Sequence, residues 1–175
     1  MAIKTIFTEP IKILRQVSNP VEHVGKEEQK LMDDMLETMY AAHGIGLAAI
    51  QIGIPKRVIV LDIISREKEK KNPLYFVNPE IIWKANENLT YEEGCLSVPN
   101  QFAEIGRPKE CHVKYLDYYD KPQLLKAQGL LATCIQHEID HLEGVLFIDY
   151  LSKLKKTMII KKLSKQKGKS ERIVV

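Results

Sequence analysis

Residues 129–144 read GLLATCIQHEIDHLEG. Leu130, Leu131, Ile135, Ile139 and Leu142 recur at helical spacing over much of one surface, and Gly144 supplies a stop, so the stretch is expected to be a helix over 129–142. Within it lies His137-Glu138-Ile139-Asp140-His141. Residues four apart share a helical face, which lets both imidazoles reach one metal ion. Glu138 stands beside the first imidazole, where it can take a proton from water at the metal and return it to a leaving group. Two histidines, a glutamate and an aspartate on a largely apolar helix need partners. A metal is one partner for the histidines, and Asp140 is a candidate acceptor for an imidazole or a neighbouring cation.

A hydrolytic site of this kind needs a third protein ligand and one open position. Downstream there are Glu143 and Asp149 but no histidine; upstream, Glu92-Glu93-Gly94-Cys95-Leu96-Ser97-Val98-Pro99 offers Cys95, whose thiol would be held as thiolate by a metal. One thiol and two imidazoles make a sound open site. A third segment, Gly44-Ile45-Gly46-Leu47-Ala48-Ala49-Ile50-Gln51, is small and apolar except for Gln51. Small residues let backbone approach a ligand closely. The amide of Gln51 is either a buried group satisfied by the backbone or a donor aimed at a developing oxyanion.

Working outward, Glu27 to Ala42 reads as an amphipathic helix, with Leu31, Met35, Leu36 and Met39 at helical spacing and Gly44 as its stop. Arg57 to Ile64 reads as a strand, Ser65 to Pro73 as a charged loop, and Leu74 to Trp83 as a second strand bent at Pro79. Cys111 to Tyr118 alternates; Asp120-Lys121-Pro122 is a turn into a short strand, Gln123 to Ala127; a last helix spans Leu151 to Lys165. Strands cluster between helices rather than alternating with them. The expected fold is therefore α+β, with mainly antiparallel sheets packed around a central metal-ligand helix and with helices towards both ends. A single catalytic domain over 1–167 and a mobile tail over 168–175 are expected.

The 175 residues, 45% hydrophobic and 28% charged, suit one soluble domain. A net charge of +3 is too small for nucleic-acid binding over the whole surface, and DNA is not an expected partner. No window is long and apolar enough for a membrane span, and Met1 to Pro10 lacks a signal-peptide core, so a cytoplasmic location is expected. Three cysteines without short paired spacing argue against a disulfide framework; Cys111 and Cys134 read as small buried residues.

The three segments, GIGLAAIQ at 44–51, EGCLS at 93–97 and QHEIDHLEG at 136–144, together resemble the peptide deformylase family, in its order and across roughly residues 5 to 155. That resemblance implies hydrolysis of the N-terminal formyl group of formylmethionyl peptides. It implies Cys95, His137 and His141 as metal ligands, Glu138 as general acid/base, and the amide of Gln51 with the backbone N–H of Leu96 as oxyanion donors. Backbone groups of Ile45, Gly46 and Gly94 would hold the peptide extended. The family resemblance points to Fe(2+), with zinc, nickel or cobalt able to fill the site; the ligand chemistry alone would have suggested zinc. On the face of the ligand helix, Leu130, Thr133 and Cys134 are expected to line the pocket for the methionine side chain, with Ile45 as another wall. Thr133 is more polar than such a wall requires, and its hydroxyl is expected to bond back to a helix carbonyl. Arg107 is a candidate contact further along the peptide.

Eight lysines and no acidic residue lie between Lys153 and Lys169, with Leu151, Leu154, Met158 and Leu163 as an apolar stripe. The plain reading is a solvated helix packed on the body; the functional one, supported by the resemblance, is contact with the ribosome. Three other enzymatic or binding readings fit less well. Gly44, Gly46 and Ala49 satisfy a dinucleotide fingerprint but follow a helix instead of a strand. A zincin-type endopeptidase needs a different third ligand. A thiol hydrolase would use Cys95 as nucleophile and His137 as base. An inactive paralogue is disfavoured because Gln51, Cys95, His137, Glu138 and His141 are all intact.

Overall fold

The structure, a computed structural model, describes residues 2–63 and 70–173, with side chains described as far as Gln166. In chain order its elements are α1 (Lys26–Ala41), β1 (Gly46–Ala48), β2 (Val58–Leu61), β3 (Leu74–Lys84), β4 (Asn88–Cys95), β5 (Val98–Pro108), β6 (Glu110–Leu116), β7 (Pro122–Gln128), α2 (Gly129–Leu142) and α3 (Lys153–Ile173), with short 3-10 turns at Lys12–Arg15, Ala49–Ile52 and Phe147–Tyr150. The architecture is α+β, as expected. Five strands form an antiparallel sheet in the order β1-β2-β3-β6-β7, and β4 and β5 form a separate antiparallel pair.

Helix α1 begins where Glu28 accepts the Gly25 N–H, with Glu27 and Glu28 complementing the helix dipole in the first turn. It buries Leu31, Met32, Met35 and Met39 against β1 and β2. Strand β3 takes Pro79 where it runs past the end of β2: the ladder to β6 shifts register between Val77 and Glu80, and Asn78 adopts φ 51°. A proline lacks the N–H a central ladder needs, so a bulge beyond the last paired residue of β2 is where it fits.

Helix α2 lies between the layers. Ala132, Cys134, Ile135 and Leu142 enter the core shared with β2, β3 and β6, while His137, Glu138 and His141 are buried towards β1, β4 and β5. It ends at Gly144, whose φ of 73° and close approach to the Arg15 backbone, 2.4 Å from an added Cβ, explain the glycine there.

Three expectations change. The β4–β5 hairpin was not anticipated. Helix α3, anticipated to stop at Lys165, runs to Ile173; residues 174–175 lie outside the described residues, as do residues 65–69 of the charged loop and Ile64 at the end of the second predicted element. The stripe on α3 is also different: Ile159, Ile160 and Leu163 pack beneath it, whereas Leu154 and Met158 are 73% and 51% exposed. Cys111 and Cys134 are buried and in no disulfide, as anticipated.

Candidate active site

Three segments far apart in sequence converge beside α2. The β4–β5 hairpin closes through a Cys95↔Val98 pair, so Leu96 and Ser97 form the connection and Cys95 is held at its mouth. The 3-10 turn after β1 carries Gln51. An extended N-terminal segment ties these two together: Phe7 N–H donates to Gln51 C=O at 2.7 Å, and Glu9 N–H to Ser97 C=O at 2.8 Å.

Cys95, His137 and His141 each offer one ligand atom, and these atoms lie within 4.8 Å of one another. Cys95 Sγ is 3.3 Å from His141 Nε2. His137 and His141 stand one turn apart with ring centroids 5.1 Å apart. The second ring nitrogen of His137, Nδ1, contacts Glu93 Oε2 at 3.2 Å, which leaves Nε2 for the ligand side. One soft sulfur and two imidazoles in this spacing fit a divalent cation of the zinc or iron type.

Electrostatics agree with that use. Burial pushes His141 well below the usual imidazole range, and His137 and Arg107 push it further, so the ring is held neutral, the form that binds metals. Burial also pushes His137 down, but hydrogen bonds to Cys95 and Glu93 outweigh it and hold the ring high; a metal must displace that proton. Glu138 is 5% exposed and its Oε2 has no hydrogen-bond partner among the described residues. Burial pushes its carboxyl up to about 7, against the pull of His137.

Gly46 makes room for that carboxyl. A Cβ there would lie 2.5 Å from Glu138 Oε1 and 2.7 Å from Leu61 Cδ2. Gly46→Ala should therefore displace Glu138, and since a misplacement of this size can cost about 100-fold, formate release should fall by that order. Unchanged turnover in G46A would show that the carboxylate's position is not critical. Gly46 also faces the cleft with its backbone. Asp62 N–H donates to Ile45 C=O at 2.9 Å and Gly46 pairs with Leu61, which makes the pair a non-hydrogen-bonded one and turns both Gly46 groups away from β2.

Gln51 is 1% exposed, and its amide is satisfied in part by the backbone. Its Oε1 accepts the Ala48 N–H at 2.8 Å; its Nε2 donates to Ser97 Oγ at 3.0 Å and lies 3.6 Å from Cys95 Sγ. The backbone bond fixes which end of the amide faces the thiol.

A cleft of about 420 Å³ opens on this constellation, lined in part by Ile45, Gly46, Gly94, Leu96, Thr133 and Cys134. Two anticipated substrate contacts, Leu130 in the methionine pocket and Arg107 further along the peptide, are not at the cleft. Leu130 is 40% exposed and outside the cleft. Arg107 is buried behind α2, where it holds Glu93 through Nε at 2.5 Å and Nη2 at 3.1 Å, and Asp140 through Nη1 at 2.8 Å. The Thr133 hydroxyl does not bond back to a carbonyl: it is buried and has no hydrogen-bond partner among the described residues. Asp140 takes the neighbouring-cation role, accepting from Arg107 and, at 2.7 Å, from Tyr150.

Sequence reading missed Glu93, Ser97 and Phe102. The first two lie inside the quoted segment without an assigned partner; Phe102 lies at the cleft, 65% exposed and against Gly94. Burial opposes the charge on Glu93, but His137 and Arg107 hold its carboxyl low. Arg107 is 3% and Glu93 6% exposed, so removing the guanidinium leaves a buried carboxylate half-compensated. Arg107→Ala should cost about 3–5 kcal/mol, lowering the melting temperature by about 10 °C. A shift within a degree or two would show that the pair contributes little.

A helix-borne pair of imidazoles, a hairpin thiol and a buried carboxyl define the class, a metal-site hydrolase. Residues 3–157 match the polypeptide deformylase family. The chain is 73% identical over 175 residues to the peptide deformylase of Pelagibacter ubique (strain HTCC1062), covering 100% of both. It is 59% identical over 165 residues to that of Phenylobacterium zucineum (strain HLK1), covering 94% of this chain and 97% of the other. Among solved structures, peptide deformylase from Ehrlichia chaffeensis superposes with a TM-score of 0.92 at 41% identity, covering 97% of this chain and 99% of that one. The same enzyme in complex with actinonin gives 0.90 at 44% identity over 95% and 98%. The chain belongs to the peptide deformylase family. Its reaction is removal of the N-terminal formyl group from nascent polypeptides.

Proposed function

We propose that this deformylase works with Cys95, His137 and His141 holding one divalent cation, Glu138 as general acid/base, and Gln51 Nε2 and Leu96 N–H receiving the charge that develops on the formyl oxygen. The observation that carries the reading is the convergence of one sulfur and two ring nitrogens within 4.8 Å of one another, beside a carboxyl with an unpartnered oxygen. The cation, when bound, supplies Lewis acidity, polarising the carbonyl and making water a competent nucleophile near neutral pH. Glu138 takes the proton of the attacking water and delivers it to the departing amine, leaving formate and a free N-terminus. A carboxyl whose burial sets it at about 7 is matched to moving a proton both ways. Each oxyanion donor is worth about 2.7–4 kcal/mol.

The peptide lies extended along the outer edge of β1, pairing with Gly46 and approached from the hairpin by Gly94. Ile45, whose carbonyl is already engaged by Asp62, contributes chiefly its side chain, with Thr133 and Cys134 forming the methionine pocket. Ferrous iron is the expected resident ion. Anaerobic purification with elemental analysis should find about one equivalent of metal per chain; chelation should abolish formate release from a formylmethionyl peptide and lower the melting temperature, and restoring the ion should reverse both. Activity that survives exhaustive chelation would overturn the metal reading and favour a thiol mechanism.

The reading carries with it a cytoplasmic location, and no helix of the described residues is long and apolar enough to cross a membrane. Helix α3 is the candidate ribosome contact. Its lysines 153, 155, 161, 162 and 165 are exposed and, among the described residues, none is in an ion pair. Cosedimentation with ribosomes should weaken with salt and with Lys161→Glu/Lys162→Glu; binding indifferent to both would remove the ribosome from the reading.

A further inference from the structure

A second cleft, of about 440 Å³, lies away from the active site between α1, the start of β3 and the β6–β7 turn. Its walls include Tyr75, Tyr115, Tyr118 and Tyr119, with Asp33 and Asp117, and among the described residues no lysine, arginine or histidine lines it. We propose that this is a binding site for a small organic cation with apolar substituents, of the quaternary or alkylated ammonium type.

The rings form adjoining walls. Tyr75 and Tyr118 lie 5.0 Å apart between centroids, tilted by 55°, and Tyr118 and Tyr119 lie 5.2 Å apart, nearly edge to face. A cation within about 6 Å of such faces is attracted by their quadrupoles, most strongly where several rings converge and water is partly excluded. The hydroxyl of Tyr118 donates to Asp33 at 3.1 Å. Burial, with Asp33 and neighbouring groups, raises Tyr75 and Tyr118, and burial with Asp117 raises Tyr115, so these three rings stay neutral at physiological pH.

The carboxylates supply charge without consuming it internally. Asp117 accepts Tyr119 N–H at 2.9 Å, Lys121 N–H at 3.0 Å and Gln123 Nε2 at 2.9 Å, which fixes it and holds it ionised. Among the described residues neither Asp33 nor Asp117 is in a salt bridge. The sign of these walls disfavours an anion and favours a cation over a neutral ligand of the same shape. A volume of this size admits a small ligand, not a folded partner.

Calorimetric or NMR titration of the full chain with choline, and with its neutral isostere 3,3-dimethylbutanol, tests the proposal. Choline should bind saturably, with shifts confined to the cleft tyrosines, and the neutral isostere more weakly. Tyr119→Leu, at a residue 71% exposed, should weaken choline by about threefold while formate release stays at the parent level, which shows that the fold is intact. Asp33→Asn should weaken choline but not the alcohol. Equal binding of choline and the alcohol, absence of saturation, or choline binding unaffected by both variants would overturn the proposal. So would a lysine-bearing peptide that binds where choline does not, which would reassign the cleft to a protein partner.

Discussion

Replacing Glu138 by glutamine should leave the metal bound and the protein folded while formate release falls by about two to four orders of magnitude. The size is that of a general acid/base at its full effect. Three features make the outcome specific. The amide has the volume of the carboxyl, so the close packing between Gly46 and Glu138 survives. The carboxyl is buried, its Oε2 has no hydrogen-bond partner among the described residues, and burial raises it to about 7, so a neutral amide there avoids the desolvation an anion suffers; thermal stability should hold or rise slightly. Glu138 is not one of the three clustered donors, so metal content should match the parent. Turnover in E138Q within tenfold of the parent, at full metal loading, removes Glu138 from the chemistry.

The parts of this site legible in sequence were those whose chemistry is local. The imidazoles declare themselves because a spacing of four is a helical face, and Cys95 because an open site needs a third ligand and the downstream candidates were carboxylates. Those carboxylates are in fact engaged elsewhere: Glu143 with Arg57 at 2.5 Å, and Asp149 with Arg15 and Lys156. What could not be read depended on tertiary geometry. Glu93 and Arg107 are 14 residues apart on a hairpin whose register pairs them with Ala103 and Leu89, so nothing local announces their contact. The hairpin itself was hidden because half of β4 is exposed and the strand offers little alternation. Helix α3 shows the opposite failure. At about 100° per residue, Leu154 and Met158 fall opposite Ile159, Ile160 and Leu163, and the sequence contains an apolar set on each side; only packing against Val98, Phe147 and Ile148 selects the second. Leu130 was placed in the methionine pocket by the same periodicity, but it lies at the exposed start of α2, outside the cleft.

Cys95→Ala should take the chain from full metal occupancy to almost none, and activity with it. Two imidazoles from one helix remain in that variant, but two ligands give neither the coordination number nor the thiolate charge that a retained divalent ion needs. The neighbouring Glu93 and Gln51 are committed elsewhere. Glu93 is clamped by Arg107 and turned to the far nitrogen of His137, and Gln51 already spans Ala48 and Ser97. The substitution should be mild for the fold, because Cys95 lies at the hairpin mouth, partly exposed, and its backbone pairing with Val98 does not involve the side chain. Metal content, read beside activity, is what separates the alternatives. A thiol nucleophile would lose turnover in C95A without losing metal, and an endopeptidase-type site completed by a downstream carboxylate would keep its metal as well. Loss of both together, with the far-ultraviolet circular dichroism unchanged, is expected only if the sulfur of Cys95 is the third ligand; a C95A protein that purifies with a full complement of metal sinks that assignment.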